Sequence, residues 1–98
     1  MIHKFRLDNI EQYNNLIVEK NLELSKAIVK VISENINTID EIIPAAEVYI
    51  EEEEEVIILS INREDFESTL ELNLKVHEYH EDFEGCVEIQ QLITKLKK

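Results

Sequence analysis

The sequence predicts an α+β fold with an antiparallel sheet of three strands, or four if an N-terminal strand joins. A long N-terminal helix and a short C-terminal helix pack on it, in the order (β)-α-β-β-β-α. Three observations predict this. Apolar residues recur every seven positions from Ile10 to Val31, six consecutive residues from Val56 to Ile61 are almost all apolar, and Phe66 to Tyr79 alternates apolar and polar residues. Ninety-eight residues suit one domain, 1–98, with an adequate core. One glycine and one proline leave little room for flexible linkers.

In order along the chain, residues 1–7 alternate loosely and predict a short edge strand. Asp8, with Glu11 three residues later, resembles the start of a helix, the aspartate standing in for Ser or Thr in a capping box. Ile10, Ile17, Leu24 and Val31, with Tyr13, Ile28 and Ile32 between them, then mark one apolar helical face. No Gly or Pro interrupts the pattern before Ile36, so it predicts one long or kinked helix, roughly 43 Å at 1.5 Å per residue. A break near Lys20-Asn21 would make two. Asn14, Asn21 and Asn35 occupy positions that a coiled coil wants apolar, which favours a helix lying on a sheet over a helix-mediated homodimer.

Asn37 to Asp40 reads as a helix exit, and Pro44 keeps its predecessor out of helix. Ala46, Val48 and Ile50 alternate with Glu47, Tyr49 and Glu51 as a half-buried strand. Glu51 to Glu55 repel one another side by side, which places them in an exposed hairpin tip or loop. The apolar run Val56 to Ile61 suits a central strand covered on both faces, and Asn62 to Asp65 suits a turn. From Phe66, the residues Leu70, Leu72, Leu74 and Val76 share one face in a period-two pattern and predict a third strand. Asp82 or Gly85 opens a last helix with Ile89, Leu92, Ile93 and Leu96 on one side and Lys95, Lys97 and Lys98 at its C-terminal end.

Charge is the strongest functional signal. The net charge is −12, and the segment 47–84 alone carries fourteen acidic residues against Arg63 and Lys75. Such a field repels nucleic-acid phosphates and anionic membranes and favours a basic protein partner. The same reasoning sets aside a double-stranded-RNA-binding domain, which shares the α-β-β-β-α order but needs cations against phosphate. The opening residues lack the apolar core of a signal peptide, and no apolar run approaches the ~18 residues that span a bilayer, so the expectation is an intracellular, cytoplasmic protein.

Little supports catalysis or a cofactor. His77-Glu78-Tyr79-His80-Glu81-Asp82, with Cys86 beyond, gathers metal-ligand types, but in a strand His77 and His80 point to opposite faces and hold no common ion. Cys86 has no motif placing a base beside it, and its acidic surroundings disfavour a thiolate. As the only cysteine it also rules out an intrachain disulfide. No phosphate-binding glycine loop or nucleophile elbow is present. The expectation is therefore a non-enzyme without cofactor or metal.

The residues singled out for binding are Glu51, Glu52, Glu53, Glu54, Glu55, Glu64, Asp65, Glu67 and Glu71, read as one carboxylate array. A rigid display of carboxylates can imitate phosphate spacing and gain on-rate by steering. The expected function is inhibition or neutralisation of a basic, nucleic-acid-handling protein, in the manner of nuclease inhibitors, immunity proteins and phage antagonists. The alternative is a dimeric chaperone or adaptor that binds a protein client through apolar surface.

Overall fold

Two asparagines decide where the first half of the chain is helical. In the computed structural model, which describes residues 2–97, strand β1 (His3–Leu7) leads into helix α1 (Ile10–Val18). Asn9 caps α1 by accepting the Gln12 N–H at 3.0 Å, while the Gln12 side chain accepts the Asp8 N–H at 2.7 Å. The capping signal read at Asp8 and Glu11 thus lies one residue further on. Asn21 caps helix α2 (Leu22–Asn35) by accepting the Leu24 N–H at 2.8 Å. The single long helix expected over this stretch is therefore two. An asparagine that fails a coiled-coil position serves better as a cap, because its short side chain competes for backbone donors.

Strands β2 (Ile42–Ile50) and β3 (Glu55–Asn62) form an antiparallel hairpin, with an irregularity between Pro44 and Ala46. The sheet is nevertheless mixed and not purely antiparallel. Its order is β1-β2-β3, and β1 runs parallel to β2, with Phe5 opposite Val48. A parallel neighbour needs a crossover of a dozen residues or more, which α1 and α2 supply.

The third predicted strand does not exist. Residues Phe66–Tyr79 form helix α3, reached through a 3₁₀ turn at Arg63–Asp65, and Phe83–Leu96 form helix α4. The observed order is β-α-α-β-β-α-α. The alternation misled because FESTLELNLKVHEY also satisfies a helical face: Phe66, Leu70, Asn73 and His77 are buried, whereas Leu72 is 65% exposed. The stretch is rich in Leu, Glu and Lys, and its 14 residues far exceed a typical strand.

The helices cover one face of the sheet. Ile43, Ala46, Val48 and Ile50 of β2 are buried there, and α2 packs over them. One cluster joins Ile32, Phe66, Leu70 and Ile89 from α2, α3 and α4; a second joins Leu16 and Leu24 to the β2 valine and isoleucine. Ile32, Leu70 and Ile89 are wholly inaccessible, and each such side chain contributes about 1.5–3 kcal/mol by leaving water. On the opposite sheet face Val56 and Ile58 stand exposed, and no helix among the described residues is long and apolar enough to cross a membrane.

β3 is an edge strand, which corrects its expected place at the centre of the sheet. Val56 and Ile58 lie 55% and 49% exposed on the open face, while Ile57 and Leu59 are half-buried on the other.

Candidate functional site

The glutamate run forms the turn between β2 and β3, as its mutual repulsion dictates. The Glu54 N–H donates to the Glu51 carbonyl at 3.2 Å and closes the turn. Glu51 and Glu52 N–H groups donate to the carbonyls of Leu7 and Asp8, both at 2.9 Å, tying the turn to the end of β1. Glu54 sits at φ 50, a left-handed conformation that costs a side-chain-bearing residue about 1–2 kcal/mol. All five carboxylates, Glu51 to Glu55, are exposed. Among the described residues only Arg6 reaches them, 3.5 Å from Glu51, while its guanidinium also covers the Tyr49 ring at 5.1 Å.

The other expected binding residues stand elsewhere. Glu64 and Asp65 occupy the 3₁₀ turn, and Glu67 and Glu71 lie on α3, so none of them shares a sheet face with the turn. The eight residues of β3 separate the two groups by about 25 Å at 3.3 Å per residue. At the start of α3, Glu64, Asp65 and Glu67 meet the positive end of the helix dipole, a sufficient local reason for their sign. Glu67 also lies 3.9 Å from Lys97. The single array is thus two patches: a turn in which Arg6 pairs with Glu51 alone, and a partly compensated helix start.

The junction between α3 and α4 assembles the histidine-rich stretch differently from the strand reading. Asp82 caps α4, accepting the Gly85 N–H at 3.3 Å, and its other oxygen accepts the His77 Nδ1–H at 2.8 Å. These bonds, the histidine first, hold the Asp82 carboxyl below its ordinary value. Gly85, the only glycine, lies directly against the His77 ring, where any side chain would collide. His77 is buried, and its Nε2 is enclosed without a partner. An aspartate-oriented imidazole has the form of a general base, but an Nε2 sealed from solvent meets no substrate proton. The arrangement fastens two helices.

His80 is exposed and donates to the Lys20 carbonyl, away from His77. Burial, then the nearby Glu78 and Asp82 charges, push the Cys86 thiol up. Among the described residues no group of three His, Cys, Asp or Glu side chains could hold a metal ion. Beside the junction, Lys26 and Lys30 of α2 face Glu84 and Glu88 of α4 across a shallow cleft.

Sequence reasoning missed this fastening, although the lone glycine three residues after Asp82 was its visible sign. It also missed the bare β3 edge, which no local pattern distinguishes from a central strand. Comparison with protein-family models, with curated proteins and with solved structures finds no match for this chain.

Proposed function

We propose that the chain is a small, cytoplasmic, acidic binding module that inhibits or neutralises a basic, nucleic-acid-handling protein, without catalysing a reaction. The observation that carries this reading is the Glu51–Glu55 turn. It projects five exposed carboxylates from a hairpin end fixed by backbone bonds to β1, with one cation in reach. Charges on a fixed backbone, most of them unpaired, steer a complementary partner and lose little order on binding it. Glu64 and Asp65 of the 3₁₀ turn and Glu67 and Glu71 of α3 form a second contact only with a partner long enough to span the hairpin.

The test is affinity capture from host lysate with the wild type and with Glu52→Lys/Glu53→Lys/Glu54→Lys, washed at about 0.1 M and then about 0.5 M salt. A basic nuclease or DNA-binding protein captured by the wild type, released by the second wash and absent with the triple variant is the expected result. The same partner on both baits after the second wash would sink the reading.

A second reading, a dimeric chaperone or adaptor with an apolar client surface, draws on the open sheet face. There Ile42, Val56 and Ile58 are all about half exposed or more, beside Pro44 and Tyr49.

A further inference from the structure

We propose that the free edge of β3 is the interface of a two-fold dimer, β3 of one chain pairing antiparallel with β3 of a second copy about Leu59. This deepens the second reading and rests on it only for the claim that two chains act together; the acidic turn stands or falls separately.

The two edges of the sheet are built differently. β1 is guarded, being five residues long with Lys4 and Arg6 on its open face, which pair with Glu47 at 3.8 Å and Glu51 at 3.5 Å. Short strands and charged side chains are the usual protection of an exposed edge. β3 is eight residues long and, after Glu55 at its start, unguarded: Val56, Ile57, Ile58 and Leu59 follow one another without a charge or proline, and none of the four is buried. Such a run belongs in a sheet centre. A second strand beside it would place it there.

Charge selects both the occupant and its direction. With Leu59 opposite Leu59, register arithmetic sets Ile57 opposite Ile61 and brings Glu55 level with Arg63 of the second copy, the residue that follows the end of β3. Arg63 forms no ion pair among the described residues. Its guanidinium is held by the carbonyls of Asn35 and Asp40 and the Thr38 hydroxyl and lies 5.0 Å from the centre of the Phe66 ring, so a carboxylate brought near it meets a cation that no described carboxylate pairs. Antiparallel pairing also sends the two glutamate turns to opposite ends of a six-stranded sheet. They then lie about 40 Å apart, far beyond the ~10 Å screening length. Parallel pairing in register would stack five glutamates on five.

The experiment is the solution mass of the full chain by light scattering, from about 1 µM to about 1 mM because a strand-edge interface is small. It is run on the wild type and on Ile58→Lys, which adds an edge-guarding charge at an exposed position. Leu59→Cys and Ile58→Cys, each in a Cys86→Ala background, are then oxidised. The wild type is expected to approach twice the 11.6 kDa chain mass, with Ile58→Lys at least tenfold weaker in self-association and unchanged in circular dichroism. Leu59→Cys is expected to cross-link, since self-opposed Cα atoms lie about 4.5–5.5 Å apart. Ile58→Cys, offset to about 8 Å, exceeds the ~7 Å limit for a disulfide and stays unlinked. A single-chain mass throughout, a dimer indifferent to Ile58→Lys, or cross-linking by Ile58→Cys in preference to Leu59→Cys would each overturn the proposal.

Discussion

Replacing Gly85 by alanine sets two well-understood effects against each other. Gly85 lies in the first turn of α4, where alanine normally stabilises a helix by about 0.5–1 kcal/mol. Here the added Cβ would stand 2.5 Å from Asp82 Oδ2, 2.8 Å from His77 Cε1 and nearer still to His77 Nδ1. The ring cannot swing aside, being buried and bonded to the Asp82 carboxylate at its near nitrogen. Overpacking of this kind costs about 1–3 kcal/mol, so the clash wins and Gly85→Ala is expected to lose about 1–2 kcal/mol net. For a chain of this size that is a fall in Tm of about 4–16 °C. Urea unfolding followed by circular dichroism measures the stability, with Val87→Ala, at a half-exposed position on the same helix, as a control expected within about 0.5 kcal/mol. A Gly85→Ala protein as stable as the wild type, or more so, would refute the packing of His77 on α4.

Two further outcomes test the fold and its junction. Leu70→Ala is expected to cost about 2–5 kcal/mol in chemical unfolding, and Leu72→Ala no more than about 0.5 kcal/mol, because α3 buries the first and exposes the second; a strand would make the two alike. Asp82 has a depressed folded-state pKa against an ordinary 3.8, so its ionised form stabilises the fold above that value and the contribution disappears as pH falls through the folded one. The stability advantage of the wild type over Asp82→Asn is thus expected to hold from neutral pH down to about pH 5 and to shrink towards pH 2; an advantage that grows on acidification would contradict the His77–Asp82 bond.

Much of the local structure is legible in the residues. Asp82 marks the start of α4, a run of like charges must be a solvated turn, and Pro44 keeps the first residues of β2 out of helix. The stretch 66–79 is where local reading fails, since its leucines fit both a period of two and a helical face. What decides between them is which residues find a partner: Phe66 and Leu70 meet Ile32 and Ile89, and nothing covers Leu72. The expected carboxylate array fails with it, because Glu67 and Glu71 were aligned with the turn only by the assumed strand.

Neighbouring residues alone set the acidity, the solvated glutamate turn, the opening of the last helix at Asp82 and the presence of both helices and strands. These depend on the repulsion, hydrogen bonding and periodicity of neighbouring residues. Tertiary structure alone decided that β1 runs parallel to β2, that β3 lies at an edge, and that His77 closes on Gly85. Each of these joins residues distant in the chain or a face to its cover, and burial is a property of the assembled surface that no single segment carries.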